Sequence, residues 1–177
     1  MEKHISTPHH LYIQLLWFSK RVKLPNRLFR LIVAQFPISI KSVHGIDHWK
    51  RVESIGLELS KMTRADPKVI IHFAYLHDSR RFDEYDDPLH GQRAAIFIGK
   101  LLETESLDLS PTQIRQLRIA CGSHSDHRYT TDDITIATCL DADRLDLVRL
   151  GVQPQEQFLI TQESKIYLRR NSSNGLT

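Results

Sequence analysis

Apolar positions recur at near-helical spacing along most of the chain, and the polar breaks between them carry helix start and stop signals. From His9 to Lys20, residues Leu11, Leu15, Leu16 and Phe18 fall near one face, closed by Lys20-Arg21-Val22-Lys23 and Pro25. A second helix is expected from about Asn26 to Gln35, with Leu28, Leu31 and Ile32 together and Pro37 as its stop. Ile38 to Ile46 reads as a loop. A longer helix follows from about Asp47 to Met62, with Val52, Ile55 and Leu59 toward the core and Asp47 as its cap. Asp66-Pro67 opens the next, with Pro67 at the first helical position, and it runs to His77-Asp78.

Ser79 to Leu89 is a polar connection, and connections of that length often carry function. His90-Gly91 leads into a helix through Ala94, Phe97, Ile98 and Leu101. Ser110-Pro111 starts another, from Thr112 to about Gly122. Asp132 or Asp133 caps a helix through Ile136, Leu140 and Leu145 that Gly151 ends. Gln155 to Arg170 reads as one last helix, and Asn171 to Thr177 as a frayed tail. The expected fold class is all-α: a single-domain helical bundle, with N-terminal helices (1–41) packed on a core domain (42–170) and a flexible tail (171–177).

Composition narrows the picture. With 177 residues, 41% apolar and 25% charged, the chain can bury a core as one domain. Cys121 and Cys139 both fall in expected helices and read as small buried hydrophobes in a reducing compartment, not as a disulfide framework. No apolar run approaches the ~20 residues that span a bilayer. Met1 to Pro8 does not resemble a secretory signal, so a cytoplasmic location is expected. The net charge of +3 is uneven. Residues 1–51 hold nine Lys/Arg against Glu2 and Asp47, which reads as a solvated surface with some steering of anions. Nucleic-acid binding is disfavoured, because these charges are spread over helices without a binding motif.

The chemistry concentrates where the apolar run Ile70-Ile71-His72-Phe73-Ala74-Tyr75-Leu76 ends in His77-Asp78-Ser79-Arg80-Arg81. Burying an imidazole and a carboxylate without a partner is costly, and a divalent cation is the partner that suits both. Further ligand types lie on either side: His44 and His48, His90, His124 and His127, then Asp141, Asp143 and Asp146. His48 is followed by Arg51-Val52, and Asp143 by Arg144-Leu145. In this order, from about His44 to Gly151, the chain resembles the HD-domain metal-dependent phosphohydrolase superfamily. His48 matches its first motif, His77-Asp78 the second and Asp143-Arg144-Leu145 the last. His90 and His124 match the extra histidines of the small bacterial two-metal subgroup.

The resemblance implies one or two divalent ions (Fe, Mn, Zn, Ni or Mg) held by His48, His77, Asp78, His90, His124 and Asp143. It places His48 and Asp143 with His77 at one ion and His90 and His124 at the other, with Asp78 between. It also implies in-line attack by a metal-bound hydroxide on a phosphomonoester or phosphoanhydride, most readily of a nucleotide. His77, Asp78, Arg80 and Arg144 are the expected catalytic groups. Arg80, Arg81, Arg93, Arg144 and His44 are the candidates to hold substrate, because a guanidinium fork matches phosphate oxygens. His44 competes with His48, His127 with His124, and Asp141 and Asp146 with Asp143. Other readings of the same residues are a di-iron oxygenase, a catalytically silent nucleotide-binding regulator and a purely structural metal site. A homodimer surface or a lid are the specific uses open to the N-terminal helices.

Overall fold

In the computed structural model, which describes residues 23–104 and 107–173, seven α-helices and two 3-10 turns follow one another, and no strand occurs among those residues. The expected helix from His9 to Lys20 lies outside the described residues. The first described helix, α1 (Asn26–Ala34), buries Leu28 and Ile32. Beyond its end Phe36 meets Trp49 edge-on at 4.9 Å, and Phe29 meets Tyr75 at 5.9 Å, so α1 is fastened to the bundle by aromatic contacts.

Helix α2 (Ile46–Thr63) begins one residue ahead of Asp47. Gly45, not Asp47, is its N-cap, and no side chain bonds there. Gly56 lets α2 approach α3 closely, since a Cβ at that position would lie 2.6 Å from Ile70 Cγ2. Helix α3 (Pro67–Leu76) starts where Asp66 accepts hydrogen bonds from Lys68 N at 2.8 Å and Gln113 Nε2 at 2.7 Å. Every residue from Val69 to Leu76 is buried, because α1, α2, α5 and α6 surround α3. A helix apolar all round has no solvent face, and α3 is the central rod of the bundle.

Helix α4 (His90–Glu103) packs along α5 (Pro111–Ser123), which opens with a reciprocal capping box between Ser110 and Gln113. Helix α6 (Ile134–Leu145) is capped by the Asp133 carboxylate, which accepts from Thr135 N and Ile136 N. It then tightens into a 3-10 turn (Asp146–Leu150) that ends on Gly151 with φ 72°.

The C-terminal segment departs from expectation. Gln155 to Arg170 is broken into a 3-10 turn (Glu156–Phe158) and helix α7 (Gln162–Ser173). The cause is a buried carboxylate on another helix. Asp141 accepts from Ile160 N and Thr161 N, both at 2.8 Å, and from Thr161 Oγ1 at 2.9 Å, drawing this backbone out of helical pairing. Thr161 Oγ1 in turn accepts from Ser164 N. Helix α7 continues through Asn171 to Ser173 instead of fraying at Asn171. Cys121 and Cys139 are free and buried. No described helix is long and apolar enough to cross a membrane.

Candidate metal centre

Five helix ends converge at one end of the bundle. His48 stands in the first turn of α2, His77 and Asp78 follow α3 directly, and His90 begins α4. His124 follows α5, and Asp143 lies in the last turn of α6. Helix termini allow side chains that diverge by about 100° per residue to meet at one point. The aromatic face of Phe73 stacks on His77 at 4.9 Å and seats the ring.

The six side chains form two nests that share one carboxylate. Asp78 Oδ2 is 3.5 Å from His48 Nε2 and 3.7 Å from His77 Nε2. Asp143 Oδ1 faces the same two nitrogens at 3.4 and 3.7 Å. Asp78 Oδ1 turns the other way, 3.2 Å from His90 Nε2 and 3.5 Å from His124 Nε2. Three groupings, His48-His77-Asp78, His77-His124-Asp143 and Asp78-His90-His124, each bring ligand atoms within 4.8 Å of one another.

The outer nitrogens decide what these rings can do. His48 Nδ1 donates to Asp146 Oδ2 at 2.7 Å, and His124 Nδ1 to the Cys121 carbonyl at 2.8 Å. His77 Nδ1 faces the Phe73 and Ala74 carbonyls at 3.1 Å, and His90 Nδ1 donates to the Asp87 carbonyl. With the proton held on Nδ1, each ring presents the lone pair of Nε2 inward. Those lone pairs face each other at 2.9 Å between His48 and His77 and at 2.7 Å between His90 and His124. Two such pairs repel unless a cation or a proton lies between them. The donor set therefore fits divalent metal, with imidazole and carboxylate ligands and no thiolate.

The electrostatics agree. Burial drives the His77 pKa down to about 3, which keeps the ring neutral and able to ligate. Burial alone pushes the Asp78 carboxyl up, but His77 and the neighbouring His124, His44 and His90 hold it well below the usual carboxylate range. Asp143 is held low in the same way by His48, His77 and His124, against its own burial. Burial disfavours charge on His48 and His124, yet facing carboxylates raise both pKa values. Cations and protons thus compete for the same space.

The arginines divide. Arg81 is buried at the rim of the second nest, with Nη1 3.1 Å from His90 Nδ1 and 3.7 Å from Asp78 Oδ1. Arg80, expected at the substrate, is placed elsewhere. Its guanidinium donates to the Gln35 carbonyl at 3.1 Å and lies over Phe97, fastening the segment after α1 to α4. Arg93 is also diverted: it pairs with Asp87, donates to the Arg80 carbonyl and lies over Phe82, so it braces the connection before α4. Arg144 borders the cavity, but its Nη atoms are spent on the carbonyls of Phe158, Asp126 and Tyr129 at 2.8–3.0 Å, which makes it a clamp on three loops.

His44 joins the site through Nδ1, 3.0 Å from Asp78 Oδ2. His127 lies against Phe158 and borders the cavity without reaching either nest. Asp141 is occupied with Ile160 and Thr161, and Asp146 supports His48 from outside. The residue sequence reasoning passed over is Arg149. It donates to the Val43 carbonyl at 3.0 Å and brings Nη2 within 3.4 Å of His44 Nδ1. Its one signal is the spacing Asp143, Asp146, Arg149, which puts all three on one side of α6 and its 3-10 extension. The nests open into a cavity of about 470 Å³.

No protein-family model matches the chain, and no curated protein matches it by sequence. One solved structure does match it: a predicted HD superfamily hydrolase from an uncultured Thermotogales bacterium, at 22% identity over 92% of each chain, with a TM-score of 0.67. The all-α fold of this chain is the fold of that structure, and its own buried His/Asp groups could hold a metal ion.

Proposed function

We propose that this chain is a metal-dependent phosphohydrolase acting on a phosphate ester or anhydride of a small metabolite such as a nucleotide. One observation carries the reading: the two oxygens of Asp78 face separate pairs of inward-directed imidazole nitrogens. His48, His77 and Asp143 with Asp78 would hold one cation, and His90 and His124 with Asp78 a second. Divalent ions so held supply an acidified water and neutralise charge on phosphoryl oxygens. The name of the structural neighbour supports a hydrolase.

The chain's own groups complete the chemistry. The guanidinium of Arg81 stands beside Asp78 and His90, where a phosphoryl oxygen would take its remaining donors. His44, held on Asp78 and bordering the cavity, is the candidate to hand a proton to the leaving oxygen. Water adds its oxygen to phosphorus, the ester P–O bond breaks, and the leaving oxygen departs with a proton. The cavity volume suits a metabolite of nucleotide size. The two buried thiols suit the cytoplasm.

Metal analysis of protein purified without chelator, and phosphate release from a panel of phosphorylated metabolites with manganese or iron, test the proposal. Bound metal with turnover of at least one phosphate compound is expected. Absence of metal together with absence of turnover overturns it.

A further inference from the structure

The cavity lining has two chemically different parts. One is the pair of nests, with Arg81 and His44 beside them. The other is a wall contributed by the segment that follows α6, with Leu147, Leu150, Val152, Pro154 and Phe158, and His127 lies edge-on to Phe158 at 5.3 Å. Gln153 and Gln155 are the polar side chains of that wall, and it carries no lysine and no acid. The other guanidiniums at the cavity are committed. Arg144 holds three carbonyls, and Arg149 spends Nε and Nη1 on the carbonyls of Val43 and Asp146.

The wall is held in place from behind. Gly151 at φ 72° reverses the chain between Leu150 and Val152. Arg144 fixes the Phe158 carbonyl, and Asp141 fixes the backbone of Ile160 and Thr161 just beyond. Yet Leu150 and Val152 are 43% and 50% exposed. Apolar side chains held in the lining of a cavity whose other part is strongly polar leave apolar surface for a ligand to cover.

Resting on the phosphohydrolase reading, we propose that the site selects monoesters of a single phosphate on an uncharged, apolar or aromatic alcohol. The phosphate takes the polar part of the lining, and the alcohol part lies against Leu147, Leu150, Val152 and Phe158. A second negative charge on the alcohol part meets there only guanidiniums that are already paired, Arg144 with Asp141 and Arg149 with Asp146, so leaving groups that carry one, further phosphates included, are disfavoured.

The test uses stable phosphonates, so that binding is read apart from turnover. Calorimetry on the full, manganese-loaded chain compares methylphosphonate, phenylphosphonate and 4-carboxyphenylphosphonate. Phenylphosphonate is expected to bind about tenfold or more tighter than methylphosphonate, as burial of a ring on an apolar wall requires. The carboxylated ring is expected to lose most of that gain. Leu150→Asp and Val152→Asp, at exposed positions that leave the nests intact, are expected to bring phenylphosphonate down to the methylphosphonate level with unchanged metal content. Equal binding of the three phosphonates, or no binding of any, overturns the proposal. Selective binding with no turnover of phenyl phosphate leaves the wall standing and overturns the hydrolytic reading instead.

Discussion

Asp146 Oδ2 lies 2.7 Å from His48 Nδ1, although 98 residues separate the two in sequence. The other oxygen of Asp146 accepts from Arg51 Nε, also at 2.7 Å. One carboxylate from the end of α6 thus sets the tautomer of the His48 ring and ties it to the next turn of α2. Asp146→Asn can still accept from His48, but it gives up the charge that makes the imidazole a strong ligand and that holds Arg51. The expected outcome is a loss of about 10- to 100-fold in metal affinity with the helical content unchanged. Competition with a chromogenic chelator, alongside circular dichroism, reads both.

Asp78 is the one side chain with an oxygen in each nest, so its removal is expected to empty both. Asp78→Ala should fall to about 1% of wild-type activity or less, with close to no bound metal. Replacing Asp143 removes an oxygen from the first nest alone. Asp143→Ala is expected to keep a partial metal content, held by Asp78, His90 and His124. Elemental analysis of the two variants side by side checks the difference; equal losses in both would contradict two nests.

The helices, and the His and Asp positions that meet at their ends, were legible because their signals are local. Pro67 after Asp66, and Pro111 after Ser110, mark helix starts by side-chain capping of the backbone just ahead. His77-Asp78 stood out because an apolar run stops there. What could not be read is long-range. Asp141 breaks the C-terminal segment from another helix, and nothing in the periodicity of Gln155 to Arg170 announces a carboxylate waiting for Ile160 and Thr161. The arginines misled for a related reason. Arg80 is two residues from Asp78, but its guanidinium reaches away to Gln35, and a long side chain is placed by its partners more than by its sequence neighbours.

That division makes a contrast between two arginines. Arg144 is 5% exposed and donates to three carbonyls that hold the connections around the cavity. Arg144→Met leaves those acceptors buried and unpaired, and is expected to cost about 3 kcal/mol or more. Arg80→Ala, outside the cavity and partly exposed, is expected to cost about 1 kcal/mol or less and to keep near-normal turnover. Urea unfolding of both variants, with the kinetics of Arg80→Ala, checks this.

His72 supplies a pH signature away from the metal centre. Its ring is buried, Nδ1 bonds the Lys68 carbonyl at 2.7 Å, and Nε2 has no hydrogen-bond partner. Burial lowers its pKa below the ordinary 6.5; Lys68 lowers it further, and the backbone bond, Asp108 and Asp66 only partly oppose this. The unfolded chain therefore binds a proton more readily than the folded one. His72 costs no stability above pH 6.5 but destabilises the fold as the pH drops from there toward its lowered pKa. His72→Leu is expected to lose less stability than wild type between about pH 7.5 and 5.5. Denaturant midpoints at the two pH values, compared as a difference so that the shared site histidines cancel, decide it.

Gly91 sits where α4 crosses the end of α5, directly after His90. A Cβ there would lie 2.6 Å from the Cys121 carbonyl oxygen and 3.2 Å from His124 Nδ1. That carbonyl is the acceptor that holds the His124 tautomer. The missing side chain thus lets His90 and His124 come together. Gly91→Ala cannot be relieved by a flexible neighbour, because the nearest atom belongs to the backbone. The helices must separate or the His124 bond must break, at a cost of about 1–3 kcal/mol. Either movement opens the second nest and spares His48, which is held by Asp146 and faces His77 and Asp143. The expected result is a folded protein with a lowered melting temperature whose metal content falls by about half, and Gly99→Ala, where an added Cβ meets nothing within 4 Å, is the control that should change neither. A Gly91→Ala protein with full metal content and an unchanged melting point would show that this close approach does not shape the site.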